Sequence, residues 1–537
     1  MRNAGNIAYD LNIDSSNTLR YVAKINTKHN QSINDYNSES LDNNLNFINK
    51  SAQRRTNTSD NSALSTSLLW KHKFKKKFRT LSMNVAYDWS EIKNDGFLSS
   101  LTDFYKGNFV KEDTVDQKNI NNTNARSFTS KLSYTEPLWK DVFMEFSYSF
   151  NNYNNINNKI SKQGVGGKYD NIIDSLTNDY QYDRMINSPG VNFRYNKKKL
   201  NYSLGTALGF NTYQQKNLTT GIGLKKDFTT VMPRASISYK IKPNSSIRFN
   251  YSGNSVAPSL QQIQPIKNNN DPLNIYEGNP DLKQSFNQNL SLSYNFYNVL
   301  KQTNFYSFIN YSTEENGFAN SSTIDGSGKR RYTTINANGH YQANLNSNYN
   351  IKWKKMDMNV GAGPRGSMTR SVEYINGVGV VTQTNSYGLG LNFYKDKDKK
   401  YSFWSSPNFS WYHSYTNSNN KYETKYWQLS GNLNATIYLH KGFEINTDAN
   451  FQERQKDPRF PTNQNKFLSN AGIKKTFMKN TMDLSFMVYD LFNQNKGFDR
   501  SFGGYSYSET YYTTLKRYAM LSFTWNFSKN GAKPAEF

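Results

Sequence analysis

Leu81-Ser82-Met83-Asn84-Val85-Ala86-Tyr87-Asp88-Trp89-Ser90, reached through the basic turn Phe74-Lys75-Lys76-Lys77-Phe78, decides how this chain is read. Met83, Val85, Tyr87 and Trp89 fall on one face of an extended strand, and Ser82, Asn84, Asp88 and Ser90 on the other. Such a period of two is the geometry of a strand, whose successive side chains point to opposite sides of its sheet. Met144, Phe146, Tyr148 and Phe150 repeat the pattern, as do Leu290, Leu292, Tyr294 and Phe296, then Ala519, Leu521, Phe523, Trp525 and Phe527. A single arm of this kind suits a soluble sandwich equally well. About 21 arms in succession do not, because an open sheet of that length leaves edges that only closure removes.

The connections agree. About ten are short and mostly lysine-rich, and the opposite ends of the arms run into long polar loops, the asymmetry of a membrane barrel. Tyr195-Asn196-Lys197-Lys198-Lys199, Lys240-Ile241-Lys242-Pro243-Asn244, Lys352-Trp353-Lys354-Lys355 and Lys395-Asp396-Lys397-Asp398-Lys399-Lys400 are the clearest of the short turns. The reading is an all-β chain forming a transmembrane antiparallel β-barrel over residues 1–527, with a short tail at 528–537. No helical segments are expected between the arms.

Composition supports this. Of 537 residues 36% are hydrophobic and 15% aromatic, and mean hydropathy is −0.84. A disordered chain is equally hydrophilic but poor in aromatics, whereas a barrel needs only alternate residues apolar and builds its interfacial girdles from aromatic rings. No apolar run approaches the roughly 20 residues of a spanning helix. With no cysteine there is no disulfide frame or thiolate site. The net charge of +25 raises the question of nucleic acid, but the basic residues cluster in turns and the aromatics form no stacking platform beside them, so no nucleic-acid partner is expected.

Direction follows from parity. The first arm, near Asn6 to Asn12, ends in the short turn Asp14-Ser15-Ser16-Asn17 and so runs towards the short-turn side, as does the last. Bacterial barrels close with an even strand number, so an odd number of strands is expected to lie outside these arms, one if the total is about 22. Met1-Arg2-Asn3-Ala4-Gly5 leads into strand without an apolar signal region, so the sequence reads as a barrel part whose signal peptide and plug lie elsewhere. An unclosed seam is the expected consequence.

Two segments exceed generic barrel sequence. Ala257-Pro258-Ser259-Leu260-Gln261-Gln262-Ile263-Gln264-Pro265 is followed by Asp271-Pro272-Leu273-Asn274 and Gly278-Asn279-Pro280-Asp281-Leu282-Lys283, and Tyr489-Asp490-Leu491-Phe492-Asn493 stands on the penultimate strand. Together they resemble the mid-barrel and "DLFN" signatures of TonB-dependent receptors. Trp70-Lys71-His72-Lys73-Phe74, Tyr134-Thr135-Glu136-Pro137-Leu138 and the Asn-rich loops look most like the outer-membrane barrels of Bacteroidota. Arginine before the first proline and "PE" after the lysine are common in that group; here Ser255-Val256-Ala257 and Gln284-Ser285 replace them. The resemblance implies a Gram-negative outer membrane, assembly by the barrel-assembly machinery on a terminal aromatic (Phe527 or Phe537), and active uptake of a siderophore, cobalamin, glycan or peptide. A plug absent from this sequence would couple to the TonB complex. A barrel with a structural, adhesive or secretion-related role is the alternative.

Enzymatic readings find little support. His29, His72, His340, His413 and His440 are scattered, and no GxSxG elbow or calcium-loop pattern occurs. No catalytic residue, metal or cofactor is assigned. Gly326-Ser327-Gly328-Lys329 lacks the upstream glycine and following helix of a phosphate loop and reads as a loop tip, as does Gly164-Val165-Gly166-Gly167-Lys168. The candidate ligand loop is Asn254 to Gln284, stiffened by proline. Its expected contact residues are Pro258, Pro265, Pro272, Tyr276, Glu277 and Asn279.

Overall fold

The fold comes from a computed structural model that describes residues 2–106, 108–263, 267–268, 271–417, 423–458, 460, 462–478, 481–502 and 507–525. Pro265, Phe527 and the 528–537 tail lie outside them. In chain order the strands begin with β1 (Arg2–Asn12), β2 (Asn17–Leu41), β3 (Phe47–Lys73), β4 (Thr80–Lys106), β5 (Asn108–Trp139) and β6 (Val142–Val165). Next come β7 (Lys168–Ile172), β8 (Asn178–Asn196), β9 (Leu200–Asn217), β10 (Gly223–Val231), β11 (Arg234–Lys242) and β12 (Ser245–Val256). Helix α1 (Leu260–Ile263), β13 (Lys267–Asn268) and β14 (Asn274–Glu277) precede β15 (Ser285–Asn298), β16 (Thr303–Glu315), β17 (Gly317–Ile324), β18 (Arg330–Ala337) and β19 (His340–Trp353). Then follow β20 (Met358–Ile375), β21 (Val378–Lys397), β22 (Tyr401–Ser405), β23 (Asn408–Thr416), β24 (Glu423–Tyr438) and β25 (Phe443–Arg454). The chain finishes through β26 (Lys466–Phe477), β27 (Met482–Tyr489), β28 (Phe498–Phe502), β29 (Tyr507–Tyr511) and β30 (Tyr518–Trp525).

These strands form one 28-stranded sheet and a separate hairpin, β28–β29. Six of the 30 strands lie off the wall: β13, β14, β17, β18, β28 and β29. Three pairs share one wall position each, since β7 and β8 both pair β6, β10 and β11 both pair β9, and β22 and β23 both pair β21. Among the described residues the wall therefore has 21 positions, each antiparallel to the next, as the alternating arms predict. Two of the three breaks carry a proline, Pro233 between β10 and β11 and Pro407 between β22 and β23. Proline has no N–H for the ladder and so interrupts a strand without displacing its neighbours.

Register keeps each face consistent. Trp70, Met83, Leu132 and Tyr148 are paired in one row across β3 to β6. Met83, Leu132 and Tyr148 in that row are exposed, which suits a wall facing lipid and not water. Seven of the ten short connections are closed by a non-glycine residue at positive φ: Phe78, Asp141, Gln302, Asp357, Lys399, Lys441 and Met478. Among the described residues no backbone pairing joins β1 to β30. Both edge strands run towards the short turns, so antiparallel closure requires an odd number of strands between them.

The wall is uneven in height. Strands β2 to β6 contain 25, 27, 27, 32 and 24 residues, against the roughly 9–11 that cross a bilayer. Strands β12, β15 and β16 contain only 12, 14 and 13. One side of the barrel thus stands far above the membrane on the long-loop side, and loops from the lower side lean onto it. Both core clusters form where a folded-back segment packs on the wall: one on Tyr182 and Tyr213 of β8 and β9, the other on Val372 of β20.

Candidate functional site: the roof over the barrel mouth

Two long-loop segments fold across the lumen. The first is the candidate ligand loop between β12 and β15. It opens with Ser259-Leu260-Gln261-Gln262, a capping box in which Gln262 N–H donates to Ser259 Oγ (3.3 Å) and Ser259 N–H to Gln262 Oε1 (2.8 Å). This single turn of helix, α1, departs from the expectation of a chain without helical segments. Its Ile263 packs with Leu282 against Tyr182 and Tyr213 of the wall, with Tyr153, Phe228, Ala257 and Phe318 around them. Leu282 is only 1% exposed. The rings of Tyr153, Tyr182, Tyr213 and Phe228 form a row across β6 to β10 at centroid spacings of 6.2, 6.1 and 5.3 Å. Lys226 Nζ donates to the Pro280 carbonyl, fixing the loop to β10.

The second segment is the hairpin β17–β18, which continues β16 and returns as β19. Eight residues per arm give a reach of about 25 Å. Its base packs Ala319, Ala337 and Val372 together, and β17 pairs in parallel with the end of β20. β18 pairs in parallel with β14 of the first segment, so the two segments form one roof. Its tip crosses to wall strands about half-way round the ring. There Asn49 Nδ2 donates to the Ser327 carbonyl (2.9 Å) and Lys329 Nζ to Asp113 Oδ2 (2.7 Å), while Lys329 Nζ lies 5.0 Å from the Phe104 ring centre.

The tip is held by Asp325, whose Oδ1 accepts from Ser327 Oγ (2.6 Å), Ser327 N–H (2.9 Å) and Lys329 N–H (3.1 Å). Burial pushes the Asp325 carboxyl up, but these hydrogen bonds outweigh it and hold it below its ordinary value. Gly328 sits at φ +76°, and a Cβ there would meet Asn49 Nδ2 at 2.6 Å. Gly326-Ser327-Gly328-Lys329 is accordingly a loop tip, and a docked one. Gly166 and Gly167 likewise form the turn between β6 and β7.

The expected contact residues have distinct places. Pro258 is buried, Pro272 is half-buried and Glu277 is exposed. Tyr276 is buried, with its hydroxyl 3.1 Å from Thr334 Oγ1 and its ring 5.1 Å from that of Tyr332; burial pushes its phenol above the ordinary range. Asn279 Nδ2 donates to the Thr334 carbonyl (3.0 Å). Both side chains are therefore spent on holding the roof together, and Lys283 and Asn336 exchange two further bonds beside them (2.7 and 3.0 Å). The partners Thr334, Asn336, Asn49 and Asp113 carried no sequence signal, because pairing over 53 to 278 residues leaves no local pattern.

Tyr489-Asp490-Leu491-Phe492-Asn493 needs a correction. Only Tyr489 belongs to β27; Asp490 and Asn493 turn at positive φ. Asp490 accepts the N–H groups of Gln494 (2.7 Å) and Asn495 (3.0 Å), so the motif ends the strand instead of forming part of it. The histidines stand on separate elements: His29 pairs with Asp60, His72 with Asn17 and His413 with Glu423. Among the described residues no three metal-ligating side chains converge.

The model of the outer membrane protein beta-barrel family matches residues 72–370 and 373–525. No curated protein matches the chain. Among solved structures, the ferripyoverdine receptor of the outer membrane of Pseudomonas aeruginosa bound to ferripyoverdine is similar over 98% of this chain and 70% of its own, with 11% identity and a TM-score of 0.51. A complex of FpvA from the same organism with a heterologous pyoverdine aligns over the same shares, at 11% identity and a TM-score of 0.50. An FpvAI–pyocin S2 complex aligns over 98% and 68%, at 12% identity and a TM-score of 0.50.

Proposed function

This chain belongs to the outer membrane protein beta-barrel family and resides in the outer membrane, and we propose that it is the barrel of a TonB-dependent receptor that takes up a bulky solute. The observation that carries this reading is the roof: two segments cross the mouth of a 21-position wall and interlock above the lumen. A barrel of this size encloses a lumen that transporters of about 22 strands keep plugged. A roof that must part to admit a solute belongs to gated uptake and not to a standing pore. The solute class is a siderophore, cobalamin, glycan or peptide, bound first at the roof. In this reading a plug and the TonB complex complete the receptor.

The test is a deletion strain, grown in turn on limiting iron chelate, cobalamin, oligosaccharide or peptide. The reading expects loss of uptake of one of these, restored by the gene and abolished in the parent by a protonophore. Undiminished uptake of all four, with the strain defective only in surface attachment or secretion, would favour a non-transport barrel.

A further inference from the structure

Behind the latch of the roof, the lumenal face of β3 to β6 contains a recess of about 410 Å³. Its side chains are Arg55 and Asn57 from β3, Asn94 and Leu98 from β4, Asn119 and Asn121 from β5, and Lys159 from β6. Register places them together: Arg55 is opposite Leu98, Asn57 opposite Gly96, Gly96 opposite Asn119, and Asn121 opposite Lys159. All lie on the face opposite to that of Met83, Leu132 and Tyr148, and so face the lumen. Gly96 makes up the floor, where a Cβ would meet the Thr56 carbonyl at 2.6 Å and Asn57 Oδ1 at 3.2 Å.

Two cations stand in this recess with no carboxylate among its lining residues. The Nε of Arg55 is buried without a hydrogen-bond partner. Lys159 is half-buried, and desolvation lowers its pKa, with no acidic neighbour offsetting it. Lys159 lies 17 positions beyond Val142, the first residue of β6, past the roughly 9–11 needed to cross the bilayer, so this is water-side chemistry above the membrane. A desolvated cation without a counter-charge is costly to fold around. Two of them beside four amide side chains match an oxyanion, since guanidinium binds carboxylate, sulfate or phosphate through a fork of N–H donors and amides complete the shell.

We propose that the recess is a binding subsite for an anionic group of the transported solute: a carboxylate, sulfate or phosphate presented to Arg55 and Lys159 inside the roofed lumen. It rests on the uptake reading for its purpose, but its chemistry is testable without transport. The full protein, purified from outer membranes in neutral detergent, is dialysed to equilibrium against radiolabelled sulfate and, separately, phosphate. Glucose serves as the uncharged probe. One saturable site is expected for the anions and none for glucose, weakened roughly tenfold or more by Arg55→Gln and by Lys159→Gln. Each variant is first shown to be folded by its heat-modifiable migration in gels, and Arg54→Gln, which faces outward, controls for the general positive charge. Saturable binding untouched by either variant, equal loss in the Arg54 control, or no saturable binding at all would overturn the proposal. Because detergent binding needs no TonB, that result is independent of any failure to find an uptake defect.

Discussion

Leu282→Ala tests whether the roof is a separately held unit or merely the top of the wall. The leucine is 1% exposed and sits between Ile263 and the rings of Tyr182 and Tyr213. Truncating a fully buried leucine costs about 2–5 kcal/mol, the transfer loss plus the cavity left behind. The wall strands on either side are joined by their own ladders, so the loss falls on the loop and the hairpin paired with it. At 1.4 kcal/mol per tenfold, the opened population of the loop rises roughly 30- to 4,000-fold. Hydrogen exchange read by mass spectrometry resolves this: the loop and hairpin peptides, residues 271–284 and 330–337, should lose protection by that factor, while β9 keeps its own. Unchanged protection in the loop, or an equal loss in β9, would refute a roof that opens independently.

Three smaller changes probe the latch and the opposite rim. The Lys329–Asp113 pair has side chains 27% and 41% exposed, which limits it to about 0.2–1 kcal/mol; the tip should therefore part before the Leu282 anchor. Lys329→Met should raise exchange at the tip up to about fivefold, and 1 M salt should mimic this in the parent but add nothing to the variant. Gly328→Ala forces a side chain into positive φ and against Asn49, so it should open the same peptide by at least as much, by the same measurement. At the short-turn rim, Glu136 accepts from Arg79 Nε (2.7 Å) and Nη2 (2.8 Å), Lys76 Nζ (2.7 Å) and the Tyr134 hydroxyl (2.5 Å). The Arg79 bonds, then those of Lys76 and Tyr134, hold its carboxyl far below its ordinary 4.5. A depressed carboxylate keeps its full contribution above the ordinary value and loses it only as pH falls through the folded one, so trypsin cleavage at Lys75–Lys77, taken relative to a free peptide of the same sequence at each pH, should stay flat from about pH 8 to about pH 5. Glu136→Gln should increase that cleavage across the same range.

The wall was legible in the sequence because each of its rules is local. Alternation in Leu81–Ser90 sets which face meets lipid, and the short basic turns set where strands reverse; both survive in the 21 positions and their register. The far bound of the candidate loop, Gln284, was legible as well, whereas its expected first residues, Asn254 to Val256, still pair within β12. The role of its residues was not. Tyr276 and Asn279 read as free contacts, yet both are occupied by Thr334, a residue 58 and 55 positions away with nothing distinctive around it. The recess was invisible for a related reason. Arg55, Asn57, Asn94, Asn119, Asn121 and Lys159 look like ordinary polar strand positions until the register of four strands brings them side by side.

The most direct measurement is to lock the roof. The chain has no cysteine, so Asn49→Cys with Ser327→Cys introduces a single pair, at a point where the Asn49 side chain already bonds the Ser327 backbone. In cells oxidised until the crosslink is complete, uptake of the solute found by gene deletion should stop, and a reductant should restore it. Uptake that proceeds unimpaired through the locked roof would contradict the gate at the centre of this account.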